Sequence, residues 1–193
     1  MRHFVYFSPS AATSGKALSG DLMKAGRMDI AIHSIIQGLF LSHDFRKDTI
    51  MHLVFYGMPD PPKHIEIQIK DDTYISKKNV AKIIQKILYK YKEGEKTEVF
   101  PGCFVEKKSF LNVIDDLMNK GSQIFILDKR GKNIRDIEIK DNAVFIVGDH
   151  EGLPRKELKR LKNIAVPVSI GNKMYFASQT IAVVNNELDI RNI

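Results

Sequence analysis

The residue types best suited to chemistry in this 193-residue chain lie between Val144 and Leu188. Val144-Phe145-Ile146-Val147-Gly148-Asp149-His150-Glu151-Gly152-Leu153-Pro154 leads into a basic segment. Val166-Pro167-Val168-Ser169-Ile170-Gly171-Asn172-Lys173-Met174 comes next, and then Ser178 to Leu188. The apolar, β-branched run from Ala143 to Val147 predicts a strand buried on both faces. Gly148 and Gly152 bracket an acidic turn where backbone can approach a ligand without an intervening Cβ. Ser178 is a good N-cap for a helix carrying Ile181, Val184 and Leu188 on one face. Two glycine loops at the C-terminal ends of adjacent buried strands make a crevice for a small cofactor or, equally, two ordinary β-α turns. The pattern is neither Gly-x-Gly-x-x-Gly nor a Gly-Lys-Ser/Thr phosphate loop.

These elements need a scaffold, and the rest of the chain predicts one of alternating strands and helices. Phe4 to Phe7, Ile50 to Tyr56 and His64 to Ile69 predict strands, the last with Ile65, Ile67 and Ile69 inward and one side solvated. Met28 to Ser42 and Asn79 to Tyr91 predict helices. In the second, Val80, Ile83, Ile84, Ile87, Leu88 and Tyr91 form one stripe, and Lys78, Lys82, Lys86 and Lys90 take the remainder. Lys92 to Thr97 reads as a charged linker. Ser109 caps a helix over Phe110 to Lys120 that Gly121 ends. Gln123 to Leu127 is a strand, followed by the turn Asp128-Lys129-Arg130-Gly131. The second half thus alternates as a parallel sheet demands, in an α/β chain with no repeat or interdomain linker, read as one domain over 1–193.

The series Val-Gly-Asp-His-x-Gly-Leu-Pro (147–154), Ser-Ile-Gly (169–171) and Asn186-Glu187-Leu188-Asp189 resembles the SPOUT-class RNA methyltransferases. More narrowly, it is similar to the archaeal tRNA pseudouridine-54 N1-methyltransferases. Gly26-Arg27-Met28-Asp29, Phe40 to Asp48, Pro59-Asp60-Pro61-Pro62, Pro101-Gly102 and Ile134-Arg135-Asp136 extend the resemblance over nearly the whole chain. It implies an α/β fold with a largely parallel sheet flanked by helices and a C-terminal deep trefoil knot from about residue 123. S-adenosylmethionine would be the methyl donor, tRNA the substrate and a homodimer the working form, with Ile181, Val184 and Leu188 sharing their surface with the partner. The cofactor positions it implies are Leu127, Gly148, Gly152, Ser169, Ile170, Gly171, Met174 and Thr180.

Methyl transfer to N1 of pseudouridine calls for a proton acceptor or an orienting carboxylate near the ring. Asp29 and Asp44 are the candidates, each beside a cation that keeps it ionised; a structural ion pair is the equal alternative. Arg27, Arg46 and Lys47 are assigned to RNA phosphates. The chain departs from the family where Phe176, Gln179, Thr180 and Asn185 stand, Thr180 replacing a cysteine against the cofactor. Other readings are a ribosomal-RNA pseudouridine or other RNA-base methyltransferase, and a noncatalytic RNA-binding or assembly factor.

Composition bounds these readings. Thirty basic against 23 acidic residues give a net charge of +7, which suits a polyanion, although a lysine-rich solvated surface has the same arithmetic. The most apolar long stretch, Ile30 to Leu41, carries His33, Ser34 and Gln37 and does not read as a membrane span. Phe4 to Phe7 is too short for a signal-peptide core. One cysteine, Cys103, excludes an internal disulfide framework and reads as a small core residue in a cytoplasmic protein. Six histidines without ligand spacing give no metal site, and His43 and His150 read as solvated loop residues. No DNA or membrane partner is expected.

Overall fold

The computed structural model describes residues 1–193. Its elements are β1 (Arg2–Ser8), α1 (Met28–Leu39), β2 (Thr49–Phe55), β3 (Lys63–Gln68), α2 (Val80–Tyr89), β4 (Thr97–Phe100) and β5 (Cys103–Glu106). There follow α3 (Phe110–Asn119), β6 (Gln123–Asn133), β7 (Ala143–Gly148), α4 (Arg155–Leu161), β8 (Val166–Ser169) and α5 (Ala177–Arg191). The strands form one eight-stranded sheet in the order β4-β5-β3-β2-β1-β7-β6-β8. From β2 to β8 every neighbouring pair is parallel, while β3, β5 and β4 extend the sheet antiparallel. The parallel pair β1–β2 is joined through α1, a connection long enough to cross a sheet face.

The pleat sorts the residues of β1 between two cores. Phe4 and Tyr6 join the larger one with α1, α2 and α5; Val5 and Phe7 join the smaller one with α3 and α4. Cys103 is fully buried, and burial pushes its thiol up to about 12. α1 and α5 both descend from the C-terminal end of the parallel strands to their N-terminal end. Asn185 of α5 donates to the carbonyls of Gln37 and Gly38, which end α1, and so ties the two helices together.

Three local expectations change. Thr97 to Glu106 is a short hairpin, β4 and β5, turning at Pro101-Gly102 rather than the exit from a linker. The helix α5 is capped from Phe176: its N–H donates to Gln179 Oε1 at 3.0 Å, and Thr180 donates to its carbonyl. The predicted turn Asp128–Gly131 is a knuckle inside β6, which runs on to Asn133. Val168 of β8 therefore pairs with Leu127 on one side of the knuckle and with Lys132 on the other. A Cβ on Gly131 would meet Val168 N at 2.4 Å, so only glycine lets the knuckle close this tightly around β8.

The face of β3 expected to be solvated is partly occupied by a row of histidines. His3 Nδ1 lies 3.1 Å from His52 Nε2, His52 Nδ1 lies 3.0 Å from His64 Nε2, and His64 Nδ1 lies 2.9 Å from Glu106. Ring centroids are 5.3 Å apart and the planes nearly coincide, at 20° and 13°. The rings therefore meet edge to edge along a hydrogen-bonded line. Glu66 also approaches His52 and His64, the ligand-type atoms of all three lying within 4.8 Å of one another, and the two rings are within hydrogen-bonding distance there.

Candidate active site

The strands β6, β7 and β8 end side by side, and the loops leaving them enclose a cleft of about 700 Å³. Ile126, Leu127, Val147, Val168 and Ile170 give it an apolar floor, and Leu153, Leu158 and Ile30 close its sides. Of the predicted cofactor residues, Leu127, Gly148, Gly152, Ile170, Gly171, Met174 and Thr180 line this cleft. Ser169 does not: its hydroxyl accepts from Gly171 N–H at 3.1 Å and donates to Gly171 O at 2.9 Å, shaping the turn from behind.

The two glycines act differently. A Cβ on Gly148 would meet Gly152 backbone at 2.7 Å, so the first loop folds across itself there. The bulk of a side chain at 148 would strike protein before ligand. Gly171 has φ +144°, disfavoured for any L side chain, and a Cβ there would enter open space. Asp149 braces the first loop. Its carboxylate, with no exposed side-chain surface, accepts from Ser8 Oγ at 2.6 Å and Glu151 N–H at 2.8 Å. Beneath it, the Tyr6 hydroxyl is buried without a hydrogen-bond partner. Burial, then the nearby Asp149 and Asp29 carboxylates, raise its pKa and keep it neutral.

Arg27 and Asp29 stand at this same end of the sheet, at the start of α1. Arg27 holds a left-handed backbone (φ 59°), and its guanidinium grips Asp29 through two bonds of 3.0 and 3.1 Å. The hydrogen bonds from Arg27 lower the Asp29 pKa further than burial raises it. Asp44, Arg46 and Lys47 are elsewhere. They follow α1, whose twelve residues span about 18 Å, and so lie by the N-terminal ends of the strands. Arg46 forks onto Asp189 at 2.7 and 2.6 Å, and Asp189 also takes Arg2 at 2.7 Å. Lys47 pairs with Asp71, and Asp44 accepts from Phe45 N–H. The two candidate carboxylates and the three candidate phosphate contacts are thus each divided between opposite ends of the strands.

Several cleft residues were not singled out as site residues in the sequence: Ile30, Asp128, Lys129, Arg130, Leu158, Tyr175 and Phe176. His150, taken as solvated, also lines the cleft. Most come from the knuckle or from the start of α5, whose positions depend on the β6–β8 packing.

The cleft has the size and the partly apolar lining of a small-molecule site. It offers an apolar slot beside backbone-rich loops, with Asp149 held below. The family model described as "Putative SAM-dependent RNA methyltransferase" matches residues 1–193. The chain belongs to that family. A tRNA (pseudouridine(54)-N(1))-methyltransferase of Methanococcoides burtonii is 33% identical over 198 residues, covering 100% of this chain and 98% of that one. A protein of Vibrio parahaemolyticus, "Putative pseudouridine methyltransferase", is 33% identical over 199 residues, covering 99% of each. The fold matches the crystal structure of Archaeoglobus fulgidus Nep1 bound to S-adenosylhomocysteine, with TM-score 0.66 and 13% identity over 100% of this chain and 99% of that one. The family's SPOUT fold and its S-adenosylmethionine chemistry accordingly apply to this chain. No helix is long and apolar enough to cross a membrane.

Proposed function

We propose that this enzyme transfers a methyl group from S-adenosylmethionine to N1 of pseudouridine 54 in the T-arm of tRNA, in the cytoplasm. The observation that carries the reading is the single cleft joining the Gly148–Gly152 and Ser169–Met174 loops, in a chain matched end to end by relatives of that named activity. When bound, the cofactor supplies an electrophilic methyl carbon on sulfonium. Leu127, Gly148, Gly152, Ile170, Gly171, Met174 and Thr180 would hold it, with Ser169 fixing the second loop from behind. The apolar floor would suit an aromatic base, and the loop backbone could supply hydrogen-bonding groups beside it.

The chain's remaining task is to align N1 with that carbon and exclude water. N1 must also lose its proton. Asp29, next to the cleft-wall residue Ile30, is held ionised by Arg27 and would act as an orienting acceptor. Asp29→Asn should lower single-turnover methylation by about a hundredfold, the usual range for a lost proton acceptor, with cofactor affinity unchanged. A wild-type rate would leave catalysis to alignment alone.

The fold is further read as the family's trefoil knot, supported by β6 gripping Val168 from both sides. A homodimer is also proposed, but through a different face from the one expected. Ile181, Val184 and Leu188 are buried inside the protomer. Phe176, Val183 and Ile190 recur every seventh residue on the outer side of α5 and are 69%, 36% and 66% exposed, a stripe a second copy would cover. Mass spectrometry of nucleosides from tRNA incubated with labelled cofactor tests the function. N1-methylpseudouridine at position 54 is expected; label on another nucleoside, or none, would refute the reading.

A further inference from the structure

The cations that sequence reading assigned to RNA are all engaged elsewhere: Arg27 with Asp29, Arg46 with Asp189, Lys47 with Asp71. Unpaired cations stand on two faces, along α2 and at the cleft rim, and only the second set borders the cleft. α4 carries Arg155, Lys156, Lys159 and Arg160 and is followed by Lys162, against one acid, Glu157. Among these cations only Arg160 is ion-paired, to Asp115 of α3 at 2.7 Å.

The helix is oriented by its leucines. Leu161 is fully buried in the smaller core and Leu158 forms a wall of the cleft. Arg155, Lys156, Lys159 and Lys162 are all exposed, while Arg160 reaches Asp115 of α3. The knuckle of β6 adds Lys129 and Lys132, and its shape is fixed by the Arg130–Asp128 fork and by the Gly131 contact with β8. Lys129 and, from the second loop, Lys173 line the cleft itself.

We infer that α4 and the β6 knuckle form the surface that grips the RNA phosphate backbone and presents the target nucleotide to the cleft. This rests on RNA being the substrate. The partner follows from the chemistry: a row of unpaired, solvated cations beside an apolar slot fits a polyanion that must insert one base. Uncompensated positive charge of this density is stabilised when it displaces counterions from closely spaced phosphates. The base itself, once unstacked, meets Met174 and Tyr175 at the mouth, where side chains can stack on it.

The test compares triple variants that remove equal charge. One is Arg155→Gln/Lys159→Gln/Lys162→Gln on and just after α4; the other is Lys78→Gln/Lys82→Gln/Lys86→Gln on and just before α2, also exposed and unpaired. Binding of a T-arm stem-loop RNA is measured by fluorescence anisotropy across a salt series, with S-adenosylhomocysteine calorimetry as the check of fold. The α4 variant should flatten the plot of log affinity against log salt by about two to three units. The α2 variant should hardly move it, and the pair Lys129→Gln/Lys132→Gln should lower it by about one to two units. Equal losses in both triple variants, or a wild-type slope in the α4 variant, would overturn the inference while leaving the methyl-transfer reading intact. Failure of the unmodified chain to bind RNA would sink both.

Discussion

The two ends of the parallel strands use the same kinds of residue to opposite effect. At the N-terminal end Arg2, Asp48, Arg46 and Asp189 satisfy one another, and the side chains of Arg2 and Arg46 are only 8% and 12% exposed. His3, His52 and His64 extend that end in a closed hydrogen-bonded row to Glu106. At the C-terminal end the loops are rich in glycine, the Tyr6 hydroxyl lacks a partner, and the surrounding lysines are unpaired. Charge that is neutralised internally holds the fold together; charge and backbone left uncompensated are available to a ligand. The ordinary asymmetry of α/β sheets, which bind at strand C-termini, here extends to the whole electrostatic design.

The largest expected effect breaks the open end. Gly171→Val forces a β-branched residue into a φ of +144° and places its branches where the cofactor would lie. Calorimetry with S-adenosylhomocysteine should show a loss of about 3 kcal/mol, roughly a hundredfold. Affinity within about threefold of wild type would detach that loop from the site.

At the closed end, Asp189→Ala leaves two guanidinium groups without their shared carboxylate. Half-exposure of Asp189 moderates the cost, which should be about 2 kcal/mol in urea unfolding. Cofactor affinity should stay unchanged. An unaltered unfolding midpoint would mean that the network contributes nothing.

The histidine row gives the closed end a pH signature. Burial is the first cause lowering His3 and His52, assisted for His52 by the neighbouring His64 and His3 rings. Glu66 and Asn142 partly oppose the shift at His3, while Lys120 on both and Lys96 on His52 reinforce it; Glu106 and Lys108 close the far end. Both folded pKa values lie below the unfolded 6.5, so the unfolded chain binds more protons beneath that pH. Stability is complete above pH 6.5 and falls as pH drops, by up to about 1.4 kcal/mol per unit for each histidine. His52→Gln should make the urea-derived slope between pH 6.5 and 5 shallower, and an identical slope would contradict the assignment.

The smallest effect sharpens the contrast. Arg46→Ala should leave the salt dependence of RNA binding within a few tenths of a unit of wild type, since its charge already belongs to Asp189. A drop of about one unit, the size of a lost phosphate contact, would return Arg46 to the RNA surface.

What was legible in the sequence follows from the range of the interactions. The buried strand Ala143–Gly148, the two glycine loops and the amphipathic α2 announce themselves through local periodicity, and the extended motif series named the family. Asp29 and Asp44 looked alike because each sits near an arginine; only the length of α1 between them separates their roles. Ile181, Val184 and Leu188 form a clear stripe, but a stripe does not say whether its own sheet or a second chain covers it. The histidine row joins residues 49 and 12 positions apart, and the knuckle around β8 depends on pairing of Leu127 and Lys132 with Val168, far downstream. No local pattern carries either.

The central claim is that chemistry belongs to the open end alone. Single-turnover methylation of pseudouridine-containing T-arm RNA by Gly171→Val and by Asp189→Ala, each confirmed folded at the assay temperature, tests it most directly. The account predicts that Asp189→Ala methylates at the wild-type rate and that Gly171→Val gives no product above background. Methylation by Gly171→Val at the wild-type rate, or a folded Asp189→Ala that is silent, would contradict it.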